Sequence, residues 1–283
     1  MLSLRFLSPL RKYNPKSLFK RSMADHLDRT HENTRNEVIC LATVVGMRDE
    51  SRTVKSLTLK VERGDLTFKA GQWVDMFIPG VSTVGGFSMY SSPCKLQTTR
   101  QMDLAVKFSN HPPAYWVHNQ CKEGSQVHVR VGGDFFYDPI TSEGHDLLLI
   151  AGGVGINPLL SIFNHVADQC KGDNPNSDHI KKSRVMLLYS AKTEEELIFK
   201  EHIKQSTVDH ENIMCGFYST REQAQDVKTH RIGPEDIAEC FDWLRKDQTV
   251  AYLCGPSPML TDMENILTAA GVQPDCVKYE KWW

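Results

Sequence analysis

The chain has 283 residues, a formal net charge of -2 and 40% apolar residues. That length suits two domains, the apolar share is too high for a disordered chain, and the near-neutral charge lacks the basic excess of a nucleic-acid binder. Eight cysteines are scattered without a CxxC pair, which speaks against zinc or iron–sulfur ligation and for free thiols in a reducing compartment.

Met1 to Ala24 carries Arg5, Arg11, Lys12, Lys16, Lys20 and Arg21 among four serines, with no acid before Asp25. Basic residues, serine and no acid describe a mitochondrial targeting segment, matrix-directed. A secretory signal is the rival reading, although Arg5 interrupts the apolar run Leu2 to Leu10. Asp25 to Asn36 is polar and without periodicity, so residues 1–36 read as targeting segment plus linker. No apolar stretch in the chain is long enough to span a bilayer, so no transmembrane segment is expected.

From Glu37 the pattern is β. Val38 to Val45, the alternating run Val54 to Val61, Gly71 to Ile78, Val84 to Ser92, Met102 to Phe108 and Gln126 to Val131 make about six short strands separated by turn residues. Such spacing implies an antiparallel barrel or sandwich over residues 37–143. Tyr115 to Cys121 is the one helical turn expected there, with Trp116 read as core.

From residue 144 strand and helix alternate. Leu147 to Ala151 is an apolar run that breaks at Gly152-Gly153-Val154-Gly155, followed by Ile156, Asn157 and Pro158. A short apolar run bounded by glycines is a buried parallel strand. Asn157 suits an N-cap and Pro158 a first helical position. The helix N-terminus after a glycine turn would hold a pyrophosphate, because its free N–H groups and dipole favour an anion. An ordinary tight turn is the bland alternative, since the spacing is not the full dinucleotide fingerprint. Further strands are expected at Val185 to Tyr189, Ile213 to Tyr218, Val250 to Cys254 and Cys276 to Glu280. Helices are expected at Pro158 to Cys170, from a capping box at Thr193, at Pro234 to Leu244, and at Ser257 to Ala270 closed by Gly271. This alternation implies a doubly wound parallel sheet over residues 144–283, with ligands at the carboxyl ends of its strands.

Five stretches in order, GQWVDMFIP, GFSMYSSP, GGVGINP, LLYSAKTEEELIF and CGPSPM, resemble the ferredoxin–NADP reductase superfamily. The resemblance covers nearly everything from Glu37 onward. It implies an antiparallel β-barrel for FAD followed by an α/β domain for NAD(P)H, with hydride passing from nicotinamide to flavin and on to a separate acceptor. It implies cofactor contacts for Gly152, Gly153, Val154, Gly155, Ile156, Asn157, Pro158, Ser190, Gly255, Pro256 and Met259 toward the nicotinamide nucleotide. It implies flavin contacts for Phe87, Ser88 and Met89, with Ser88 near N5, Cys254 beside the nicotinamide, and the terminal Trp283 stacked on the flavin or sealing the two halves. The flavin motif departs from the family's Arg-x-Tyr-Ser/Thr: the arginine is Gly85, the tyrosine is Phe87, and the later phosphate segment reads Pro113-Ala114. Losing an arginine–phosphate contact costs about 1.5–3 kcal/mol, or roughly one to two decades in FAD affinity. FAD is thus expected on a degenerate motif. NADH is expected over NADPH, because Lys192 alone is basic in Ser190 to Glu196 and three glutamates follow it. A catalytically silent NAD(H)-binding module on the same fold is the alternative.

Overall fold

The computed structural model describes residues 26–62, 65–139, 144–171 and 183–281. The targeting reading of Met1 to Ala24 and the stacking reading of Trp283 both lie outside the described residues.

The first sheet is antiparallel. It contains β1 (Cys40–Ser51), β2 (Val54–Val61), β3 (Trp73–Phe77), β4 (Gly85–Ser88), β5 (Gln101–Lys107) and β6 (Gln126–Gly132), in the order β4-β3-β6-β1-β2-β5. Alternating side chains such as Val44, Leu57, Leu59, Val74, Met76, Leu104 and Val129 fill one core. The two edge strands turn toward each other, and an antiparallel bridge joins Met89 to Leu104. This gives the expected barrel-like layer. β1 outruns the expected strand because bulges shift its register between Val44 and Gly46 and again near Ser51. The two-residue alternation is lost there although pairing continues. β4 is shorter than expected because the chain leaves β3 after Ser88 to meet β5.

Two helices accompany this sheet. α2 (Pro93–Thr99), which the sequence reading left out, is capped by Ser92. α3 (Pro112–Asn119) starts three residues earlier than expected and contacts β4 and β5.

The expected linker is also structured. α1 (His26–Arg29) and the turn after it dock on the outer face of β3. Asp75 anchors this clasp with no solvent exposure. His26 Nε2 lies 3.0 Å from Asp75 Oδ1, while Arg35 Nε at 3.0 Å and Arg130 Nη2 at 2.6 Å donate to Oδ2. Arg35 also sits over the Trp73 ring, and the His26 ring meets Trp73 edge-on. Burial alone would raise the Asp75 carboxyl, but the hydrogen bonds from His26, Arg130 and Arg35 outweigh it and hold it below the usual carboxylate value. Polar composition concealed this docking, since its apolar partner Trp73 lies far away in the sequence.

The second sheet is parallel, in the order β11-β10-β7-β8-β9. Its strands are β7 (Asp146–Gly152), β8 (Val185–Ala191), β9 (Ile213–Ser219), β10 (Thr249–Gly255) and β11 (Val277–Lys281). All seven residues of β7 are buried, as a central parallel strand requires. The connecting helices are α4 (Ile156–Lys171), α5 (Lys200–Asp209), α6 (Pro234–Phe241) and α7 (Ser257–Ala269). After β7 the strands advance through β8 to β9, and the chain then returns to β10 on the other flank of β7. β7 and β10 therefore flank the topological switch point, where such folds bind ligands.

Two expected caps are not formed. Asn157 is inside α4, which continues directly from a 3₁₀ turn over Gly153–Gly155, so no separate N-cap is needed and Pro158 falls third in the helix. Thr193 makes no side-chain cap, because Glu194–Glu196 closes into its own 3₁₀ turn and α5 starts only at Lys200. Gly271 does end α7 as expected, with φ 92°.

Candidate functional site

The carboxyl ends of β7 and β10 meet edge to edge. Gly152 and Gly155 are glycines because this meeting leaves no room for a side chain. A Cβ on Gly152 would come within 2.6 Å of Met259 Sδ and 2.8 Å of Pro256, and one on Gly155 would overlap the Cys254 carbonyl. Gly155 thus serves backbone-to-backbone packing rather than ligand approach. Gly153 differs. Its φ is 55°, and a Cβ there would meet nothing within 4 Å, so the turn presents bare backbone to open space. Val154 is half-buried beside it, Ile156 is buried in the core, and α4 directs its first turn at the same opening. Ser190, next to last in β8, lies opposite Gly152 and is half-buried. Pro256 is exposed and Met259 half-buried, while Cys254 is wholly buried within the core. Cys254 therefore meets the crevice through its backbone.

The barrel reaches this crevice through β5, which touches the glycine turn. Asn157 Nδ2 donates to the Ala105 carbonyl at 2.7 Å, leaving its Oδ1 buried without a partner. Ser88 is 5% exposed, and its Oγ is likewise buried and unpartnered. The register of the Met89–Leu104 bridge sets Ser88 across from Ala105, the residue whose carbonyl takes the Asn157 amide N–H. Met89 is fully enclosed, which corrects its expected role: its side chain belongs to the barrel core, not to a ligand surface.

The glutamates after β8 are not unopposed, as the sequence alone suggested. Glu194 pairs with Lys200 at 2.6 Å, Glu195 with Arg52 at 3.4 Å, and Glu196 with Lys107 at 3.4 Å. Arg52 and Lys107 come from the barrel, so two of the three acids tie the halves together. Their partners lie more than eighty residues away in sequence and left no local signal. Asn164 Nδ2, donating to the Tyr90 carbonyl at 3.0 Å, and Ser161 Oγ, donating to Ser91 O at 2.7 Å, add to this seam.

The residues at the flavin-motif position do not fit an FAD pyrophosphate. Gly85 and Phe87 lie opposite Met76 and Val74, facing the barrel interior. A Cβ on Gly85 would come within 2.5 Å of the Phe87 ring and 2.8 Å of Pro113. The chain's own side chains thus fill the place an arginine would need. Gly86 faces the other way, and there a Cβ would overlap the His26 ring. A cleft of about 820 Å³ runs along the edge strand β11 past Trp73, Phe136 and Tyr252. Neither the glycine turn nor Ser88 lines it, so the topology and the orphaned oxygens locate the candidate site better than volume does.

Comparison with known proteins agrees with this geometry. The oxidoreductase NAD-binding domain family matches residues 149–265. A cattle (Bos taurus) protein, oxidoreductase NAD-binding domain-containing protein 1, is 46% identical over 92% of this chain and 85% of its own. The human (Homo sapiens) protein of that name is 44% identical over 99% and 92%. Among solved structures, the flavohem-like FAD/NAD-binding domain of nitric oxide dioxygenase from Vibrio cholerae superposes with TM-score 0.71 at 24% identity, covering 86% of this chain and 98% of that one. A ferredoxin NADP+ reductase from Neisseria gonorrhoeae with bound FAD and NADP gives 0.70 at 17%, covering 88% and 100%. At these identities the structures establish a common fold.

Proposed function

The chain belongs to the oxidoreductase NAD-binding domain-containing protein 1 family, and from that premise we propose that it is an NAD(P)H-dependent oxidoreductase passing a hydride to a flavin-class acceptor across the seam between its sheets. The observation that carries this reading is the meeting of three features at the switch point: the open, positive-φ Gly153, the first turn of α4, and the unpartnered Ser88 Oγ on the barrel side. A pyrophosphate over Gly153 receives backbone N–H groups at the start of the glycine turn and the positive end of α4, while the Ile156 N–H already donates to the Gly153 and Val154 carbonyls. Ser190 meets a ribose hydroxyl. Gly255, Pro256 and Met259 border the nicotinamide end, with the Cys254 backbone holding them against Gly155. The nicotinamide supplies the hydride; the protein's own share is to hold donor and acceptor close and to exclude water.

NADH is the preferred donor, because Lys192 is the single basic residue in its stretch and a 2′-phosphate calls for a cluster. Final electrons go to a separate molecule. The direct test is titration of the full chain with NADH, followed by NADH oxidation with added flavin. Tight NADH binding with flavin-dependent oxidation supports the reading, and absence of NADH binding contradicts it. A module that binds NADH without turnover is the second reading, favoured by the filled pyrophosphate place beside Gly85. NADH binding with no oxidation under any added flavin would select it.

A further inference from the structure

Resting on the hydride-transfer reading above, we propose that the barrel works on a flavin lacking the adenylate half, riboflavin or FMN, taken up and released as a substrate, and retains no FAD.

The adenylate half of FAD is held through its pyrophosphate, which needs cationic or N–H donors. Among the described residues such donors are reduced to one backbone N–H where the family resemblance places that clamp. Gly85 carries no side chain, and Phe87 and Pro113 occupy the room one would take. The first turn of α3 begins with Pro112 and Pro113, neither of which has an N–H. Tyr115 N already donates to the His111 carbonyl at 2.9 Å. That leaves the Ala114 N–H, on a residue with no hydroxyl, as the one free backbone donor of this turn. A dianionic pyrophosphate would gain little and would lose its water.

The ring end is treated differently. Ser88 Oγ and Asn157 Oδ1 are both buried and both lack a partner, and both residues meet β5 at Ala105. Buried polar groups left unsatisfied are costly, so a partner is expected when the site is at work. A hydroxyl donor and an amide acceptor, each on a residue that meets β5, suit the edge of an isoalloxazine, which presents C=O and ring nitrogen acceptors next to an N–H. The protein therefore keeps groups for the reactive ring and has given up those for the tail. Without the tail the flavin binds weakly enough to leave.

In the step itself the nicotinamide C4–H bond breaks and a flavin N5–H bond forms, and both electrons travel with the hydride. Solvent supplies the second proton at N1, and NAD⁺ and the reduced flavin dissociate.

The test is equilibrium titration of the full chain with riboflavin, FMN and FAD at one salt concentration, followed by flavin fluorescence, with NADH titrated in parallel. Riboflavin and FMN should bind within about threefold of each other, and FAD no more tightly than either. The purified protein should be colourless. FAD binding at least tenfold tighter than riboflavin, or FAD copurifying in stoichiometric amount, overturns the proposal. NADH binding with no flavin binding also overturns it and leaves the nicotinamide site standing. Failure of both NADH and flavin to bind removes the parent reading as well.

Discussion

The two halves of the molecule use their glycines in opposite ways. At the switch point Gly152 and Gly155 have no room for a side chain because neighbouring backbone and side chains press against them, whereas Gly153 has a positive φ and open space in front of it. In the barrel, Gly85 and Gly86 also lack side chains, but there Phe87, Pro113 and His26 occupy the space a side chain would take. An open glycine at the switch point leaves backbone free to meet an approaching group, whereas a glycine crowded by its neighbours does not. The nucleotide half thus leaves backbone open at Gly153, and the barrel half closes the place beside Gly85 with its own side chains.

The largest effect is expected at the clasp on the outer face of β3. Asp75→Asn leaves Arg35 and Arg130 facing a buried neutral group and should cost about 3–5 kcal/mol, read as a drop in thermal unfolding temperature. Because the folded Asp75 carboxyl titrates below its unfolded value, its contribution is present above the ordinary carboxylate value and lost as pH falls through the folded one. The wild type should therefore lose more stability than Asp75→Asn as pH falls through and below the ordinary carboxylate range. Equal acid profiles would show that the clasp is not electrostatic.

Next comes a direct comparison of the two glycine types. Gly155→Ala pushes a methyl into the Cys254 backbone, which cannot rotate away, and should cost about 3 kcal/mol. Gly85→Ala meets chiefly a Phe87 ring that can turn, and should cost about 1 kcal/mol. Chemical unfolding of both variants checks the order; the reverse order would break the contrast between the halves.

The smallest effect concerns the donor. NADH should bind more tightly than NADPH by about tenfold or less, or about 1.4 kcal/mol at most. Lys192→Ala should change the ratio little, since Lys192 is exposed and isolated. NADPH binding more tightly, with Lys192→Ala removing that advantage, would reverse the assignment.

Much of this was legible in the sequence where the cause was local. The alternation of Val54 to Val61 returned as β2 with the same bounds, and the apolar run ending in Gly152 returned as a fully buried β7. The site elements at Gly153 and Gly255 were marked by glycines whose absence of side chain is itself the signal. What stayed hidden depends on partners distant in sequence. Asp75 stands out in the apolar run WVDMF, and a buried acid there demanded cations, but nothing nominated His26, Arg35 and Arg130. The Glu194 to Glu196 run looked like a repulsive patch because Arg52 and Lys107 lie in the other half. Asn157 looked like a cap, and only the fold brings the Ala105 carbonyl to its amide.

The central claim is that a nicotinamide nucleotide sits over Gly153, and Gly153→Asp tests it most directly. Aspartate tolerates a positive φ better than most residues, and the space in front of position 153 is open, so the fold should persist. The added carboxylate would stand where the pyrophosphate must lie. Titration of wild type and variant with NADH, alongside their unfolding temperatures, should show at least a tenfold loss of affinity, about 1.4 kcal/mol or more, at nearly unchanged stability. Unchanged NADH affinity in a folded Gly153→Asp variant would contradict the account.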